Sequence, residues 1–258
     1  MCLILLAWQA HPEFPLVVAA NRDEFHNRPT AVADYWQDRP DILAGRDLVA
    51  GGTWMGMTLT GRFAALTNYR DPAQMRPDAP SRGPLVSDFL TGNAAPQDYL
   101  QGLALSGGGY NGFNLLVADR QELFWYSNMG GEPRRLAPGI YGLSNELLDT
   151  PWPKVEAAKS DLSRALEALP DDAPLFRLLR DDRTYPDDAL PRTGVSLELE
   201  RMLSAAFITS DNRNYGTRSS TVLIQDRSGL VSYDEQTWLP DASAGERRHF
   251  SFRLPEKD

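Results

Sequence analysis

The pattern that most constrains this chain is a series of short apolar runs separated by turn residues, and it begins at once. "CLILLAW" and "LVVAA" are each too short for a core helix, and the turn-rich "HPEFP" lies between them. Runs of this length read as buried strands, so Cys2–Gln9 and Leu16–Ala20 are expected to form one hairpin. "TWMGMTL" and "RFAALTN" flank Thr60-Gly61, and "FNLLVAD" and "ELFWYSN" flank Arg120-Gln121, giving two further hairpins. "IYGLSN" reads as a strand ending at Asn145, and "STVLIQD", "LVSYDE" and "HFSFRL" close the chain.

Between the strands the period changes. In "DTPWPKVEAAKSDLSRALEALP", the residues Val155, Ala158, Leu162, Ala165, Leu166 and Leu169 recur every three or four positions, as on one helix face. Thr150 before Pro151 suits its start and Pro170 its stop. Shorter helices are expected over Pro84–Leu90, Gln97–Leu103 and Leu197–Ala205, and "RDDRTYPDDALPRTG" reads as a mobile loop. Antiparallel hairpins with a few inserted helices imply an α+β layered fold and not alternating βαβ units. With 258 residues and no repeat or evident linker, one domain spanning residues 1–258 is expected.

Composition narrows the function. A net charge of −9 argues against nucleic acid or an anionic membrane surface as the main partner, since both need clustered Lys and Arg. The apolar start lacks a preceding Lys or Arg and is broken by His11, Pro12, Glu13 and Pro15, so no secretory signal is expected. No stretch approaches a membrane span, and one cysteine fits a reducing compartment, so a soluble cytoplasmic protein is expected.

Several familiar patterns fail on context. "GGGYNG" meets G-x-G-x-x-G at Gly107, Gly109 and Gly112, but it runs into a strand where a dinucleotide fingerprint opens a helix. There is no G-x-S-x-G elbow, and His11, His26 and His249 have no metal spacing, so neither a metal nor another cofactor is expected.

The single cysteine is Cys2. Buried in a first strand, it would be a small hydrophobe. Exposed by removal of Met1, it would be a thiol beside a free α-amine that titrates near pH 8, about where it can serve as base. The polar residues at strand ends bear on this choice. "AANRDEF" sets Asp23 where a carboxylate can orient that amine, and Arg22 where a cation favours thiolate; Glu24 reads as a surface ion-pair partner. Asn68 and Asn145 are either turn caps or amide donors to an oxyanion. Arg218, in "NYGTRSSTV", is either a surface ion pair or a charge near the thiolate.

"MCLILLAW", "NRDE", "AGGTWMG", "ALTNYRD", "LSNELLDTPWPKV" and "NYGTRSSTV" together resemble the NRDE family, also called the transport and Golgi organisation protein 2 family, in order from Cys2 to about residue 225. That family resembles in turn the cysteine N-terminal nucleophile hydrolases, such as penicillin V acylase and bile salt hydrolase. The resemblance implies a four-layer αββα sandwich of two antiparallel sheets flanked by helices. It also implies a site in which Cys2 attacks an amide or acyl carbonyl of a small molecule, with its amine as base. Asp23 is then the orienting carboxylate, Asn68 and Asn145 the oxyanion-side amides, and Arg218 the neighbouring cation. Cys2, Asp23, Asn145 and Arg218 are expected to meet in one cleft between the sheets. Those acylases carry Arg three residues before Asp, whereas Ala20 holds that place here, so Arg22 is expected on the other face of its strand from Asp23. The family's links to secretory organisation, lipid metabolism and haem trafficking imply an alternative, a haem or acyl-lipid carrier using the same cleft. His11, His26 and Cys2 are its candidate axial ligands.

Overall fold

The computed structural model describes residues 2–106 and 109–256. Met1 and the first glycines of "GGGYNG", Gly107 and Gly108, lie outside the described residues. The strands are β1 (Cys2–Trp8), β2 (Leu16–Phe25), β3 (Thr30–Trp36), β4 (Arg39–Asp47), β5 (Met55–Thr58), β6 (Phe63–Asn68), β7 (Phe113–Ala118), β8 (Leu123–Ser127), β9 (Arg134–Arg135), β10 (Gly139–Leu143), β11 (Tyr215–Gln225), β12 (Leu230–Trp238) and β13 (Ala244–Arg253). The helices are α1 (Gly83–Thr91), α2 (Pro96–Leu105), α3 (Pro153–Ala165), α4 (Ala173–Leu179) and α5 (Leu197–Met202).

The described strands make two antiparallel sheets. One is a meander in chain order from β3 to β9; the other runs β10-β1-β2-β11-β12-β13, so the first hairpin lies between β10 and the C-terminal strands. Period-two alternation then decides which residues meet. Even-numbered residues of β1 and β2, including Ile4, Leu6, Val18 and Ala20, join Met55, Phe63, Ala65 and Leu116 of the other sheet in the core between the sheets. Odd-numbered residues, including Leu3, Leu5, Val17 and Ala19, face Val155, Leu162, Leu175 and Leu179 of α3 and α4. The outer face of the meander, with Ile42, Ala64, Leu66 and Leu115, packs on Leu85, Phe89 and Leu100 of α1 and α2. The layers therefore run helix, sheet, sheet, helix: an αββα sandwich.

Element ends differ from the sequence reading for local reasons. Helix α3 begins at Pro153 because a residue before proline is driven out of the α region, and Trp152 is extended with ψ 142°. Strand β10 stops at Leu143, where side-chain bonds from Ser144 and Asn145 replace the ladder. The segment expected to be a mobile loop is irregular apart from one turn of 3-10 helix at Asp187–Ala189, and Asp187 pairs with Arg201 at 2.7 Å.

Candidate functional site

Cys2 opens β1, and the β1–β2 register sets it directly opposite Arg22. The β1–β10 register pairs Ile4 with Leu143; two more residues along it lead from Cys2 to Asn145. Ser144 makes that connection, its hydroxyl lying 3.3 Å from the Cys2 carbonyl and 3.4 Å from the Asn145 side-chain oxygen. Asn145 is fully buried and donates from Nδ2 to the carbonyl of Asn68 at 2.8 Å, while its own carbonyl accepts the Arg70 N–H at 2.7 Å. The Tyr69 hydroxyl donates to Glu146. Residues 68–70 and 145–146 are thus fastened together beside the head of β1. One N–H of the Asn145 amide is committed to this fastening.

Neighbouring residues of "NRDE" face opposite sides of the sheet. Arg22 shares the inter-sheet face with Ala20 and stacks on Trp54, 4.2 Å from the ring centroid; its buried Nη1 has no hydrogen-bond partner among the described residues. Asp23 shares the helix-side face with Asn21, and its Oδ1 accepts the Thr217 hydroxyl at 2.7 Å. Arg22 and Asp23 lie on opposite faces of β2. Cys2, as the direct cross-strand partner of Arg22, is on the Arg22 face, and Asp23 reaches the head of β1 from the other side.

Asn21 and Glu24 frame these two residues. Asn21 donates to the carbonyls of Leu179 at 2.7 Å and Ala206 at 2.8 Å, and accepts from Ser220 at 2.6 Å, so it locks the sheet to the helical layer. Glu24 lies 4.0 Å from Arg28, the surface pair read from sequence.

Arg218 is the extra residue of a β-bulge, because Thr217 pairs with Asp23 and Ser219 with Arg22. Its Nη1 donates to the carbonyls of Phe25 and Arg28, each at 2.9 Å. Burial lowers its pKa, with the Arg22 charge adding to the effect. The expectation of one cleft between the sheets for Cys2, Asp23, Asn145 and Arg218 does not hold for Asp23, which stands on the helix-side face at the sheet end where Cys2 and Asn145 lie. Nor does it hold for Arg218, whose guanidinium braces the turn after β2.

The Cys2 residue is partly exposed, yet its surroundings push the thiol pKa up. Burial is the largest cause, the Asp23 charge adds to it, and the Asp23 main-chain N–H and Arg22 pull back. Arg22 has the sign expected from sequence, but desolvation wins. Asp23 is 2% exposed, and burial raises its carboxyl as well, opposed by Lys154, Thr217 and Arg70.

Arg70, Glu200 and Lys154 are charged residues near this centre to which the sequence reading gave no role, as is Arg82, which interacts with the Cys2 thiolate. Arg70 and Glu200 form a buried ion pair at 2.8 Å. Lys154, also buried, donates to the carbonyls of Leu203 at 2.8 Å and Ala205 at 3.3 Å. Arg70 and Lys154 stand within "ALTNYRD" and "LSNELLDTPWPKV", so the signal was present without a role attached; Glu200 had none. Among the described residues no His, Cys, Asp or Glu side chains group as a metal site. His11 lies in the β1–β2 turn, one seven-residue strand from Cys2 or about 20 Å, so the two cannot ligate one iron.

The fold and this centre define an αββα sandwich with a thiol at the head of its first strand, flanked by buried Arg, Asp and Asn side chains. Residues 1–240 match the family model described as Transport and Golgi organisation 2. The chain is 38% identical over 275 residues to the Transport and Golgi organization 2 homolog of Mus musculus, covering 98% of this chain and 99% of that one. It is 37% identical to the Homo sapiens homolog with the same coverage. The chain belongs to this family. Among solved structures it is similar to the Caenorhabditis elegans N-acylethanolamine-hydrolyzing acid amidase ortholog, with a TM-score of 0.47 and 12% identity, covering 86% of this chain and 92% of that one. No described helix is long and apolar enough to cross a membrane.

Proposed function

We propose that this protein is a thiol-dependent acyl hydrolase acting on a small-molecule amide or ester, with Cys2 as nucleophile after removal of Met1. The observation that carries the reading is the row across the sheet end, with Arg22 on one side of Cys2 and the Ser144-linked Asn145 on the other. A thiol whose pKa is raised needs a base, and the Cys2 α-amine is the nearest one its own backbone supplies. Asp23 orients that amine. The thiol proton passes to the amine as sulfur attacks the carbonyl, and Asn145, with Asn68 beside it, stabilises the oxyanion. The proton then goes to the leaving nitrogen or oxygen as the bond to carbon breaks. Water, deprotonated by the same amine, cleaves the thioester to release the acid and restore the thiol.

The test is a panel of acyl amides, esters and thioesters incubated with the native protein and with Cys2→Ala. Product release that vanishes in Cys2→Ala is expected. No turnover from any member, together with haem or acyl-lipid binding that survives Cys2→Ala, would replace the hydrolase with a carrier.

A further inference from the structure

Among the described residues the chain buries two arginines equally, Arg22 and Arg70, each 6% exposed. Arg70 has the Glu200 carboxylate at 2.8 Å. Arg22 has no ion pair and no side-chain hydrogen bond among the described residues, and its buried Nη1 is left without an acceptor. A guanidinium in this state is costly, because a cation taken out of water needs a counter-charge and acceptors for its five N–H donors.

The nearby carboxylates are engaged elsewhere. Asp23 projects to the helix-side face and accepts from Thr217 at 2.7 Å. Glu24 accepts the Phe25 N–H at 2.8 Å and lies 4.0 Å from Arg28. Glu235 feels the Arg22 charge but accepts the Ala33 N–H at 2.7 Å and forms no ion pair among the described residues. The thiol opposite makes little use of the charge: burial, the largest influence on Cys2, and the Asp23 charge raise its pKa against the smaller pull of Arg22. Trp54 covers one face of the guanidinium, 4.2 Å from the ring centroid, and itself packs close over Gly45. The N–H donors lie in the guanidinium plane, so this stacking leaves their edge open to a planar acceptor with two oxygens. Directly opposite side chains start about 4.5–5.5 Å apart at Cβ, so an anion on that edge lies only a few bonds from a carbon within reach of the Cys2 sulfur.

We propose that Arg22 is a specificity-determining residue of this site: it takes a carboxylate of the substrate, borne on the acyl or the leaving side a few bonds from the carbonyl that Cys2 attacks. A carboxylate supplies a counter-charge and two acceptors in one plane, which a neutral amide or ester does not. The substrate class is then an acyl compound with a carboxylate beside its scissile bond, as in an N-acyl amino acid or the half-amide of a dicarboxylic acid. As a statement about substrate this rests on the hydrolase reading; anion capture beside Cys2 does not.

The experiment compares alkylation of Cys2 by iodoacetate and by iodoacetamide, reagents of one shape of which only the first is an anion. Cys2 is the single cysteine, so mass assigns each thiol adduct. The quantity measured is the ratio of the two rates, in which the thiolate fraction cancels, relative to the same ratio for N-acetylcysteine. The native ratio is expected to exceed that of the free thiol about tenfold or more, and to fall about tenfold in Arg22→Gln. Equal ratios in native protein and free thiol overturn the proposal, as does a native ratio that survives Arg22→Gln. Arg82, whose charge also meets the Cys2 thiolate, controls for a general field: a fall in Arg82→Gln as large as in Arg22→Gln is a contrary result. If Arg22→Gln does not fold, the native ratio decides, and a thiol inert to both reagents counts against the anchor. Neither reagent needs turnover. A preference for iodoacetate in protein that turns over no acyl compound keeps the anchor and removes the hydrolase; Cys2-dependent turnover without that preference does the reverse.

Discussion

Glu235 is a carboxylate buried between the sheets, 1% exposed, whose Oε1 accepts the Ala33 N–H of the opposite sheet at 2.7 Å. Burial raises its pKa above the ordinary 4.5, against the pull of that N–H and of Arg22. With the folded value raised, the stability this group contributes is complete below the unfolded pKa and is lost as pH rises through the folded one. Glu235→Gln keeps an acceptor for Ala33 without the charge. Its stability relative to the native protein is therefore expected to be greatest at neutral pH and to shrink towards pH 4.5, read by urea unfolding at several pH values; a gap that widens on acidification contradicts this. Asn21→Ala removes three buried hydrogen bonds, and a loss of about 2–4 kcal/mol is expected from chemical unfolding. A loss below about 0.5 kcal/mol would mean the lock carries no load. "NRDE" was legible as a polar cluster after a buried strand, and Asp23 followed from its chemistry. The structural task of Asn21 was not legible, because its partners, the carbonyls of Leu179 and Ala206, lie more than 150 residues away.

Elements were legible where a turn announced them. The hairpins across Thr60-Gly61 and Arg120-Gln121 form as expected, β5 with β6 and β7 with β8. Strands β3 and β4 gave no such signal: Pro40 interrupts the second, and their pairing shifts register after Ala31 and again after Tyr35, so apolar alternation is broken. The β11 bulge hid the fate of Arg218 in the same way, since one extra residue changes which neighbours a side chain meets. Gly45 in β4 shows how an element supports the site from a distance. A Cβ there would lie 2.2 Å and 2.5 Å from the Trp54 ring, on which Arg22 stacks. Gly45→Ala is expected to displace Trp54, shift tryptophan fluorescence and cost about 1–3 kcal/mol in thermal or chemical unfolding. Unchanged fluorescence and stability would mean the ring yields freely and does not hold Arg22.

At the scale of the molecule, the sandwich brings residues 2, 22–23, 68–70, 144–145, 154 and 200 to one end of the β1–β2 hairpin. The α+β class could be read from hairpins and periodicity alone. Four layers came through family resemblance, because no local pattern says which sheet face a helix will cover. The centre itself depends on a long-range closure, β11 and β10 on either side of β1–β2, that spacing does not encode. The central claim is that Cys2, freed of Met1, is a nucleophile set between Arg22 and Asn145 and served by its own amine. Intact and peptide mass spectrometry of the folded protein after brief exposure to the acyl panel tests this most directly. The expected spectrum shows loss of one methionine and one acyl group on Cys2, absent from Cys2→Ala. Retention of Met1 in folded protein, with an unmodified thiol across the whole panel, would contradict it.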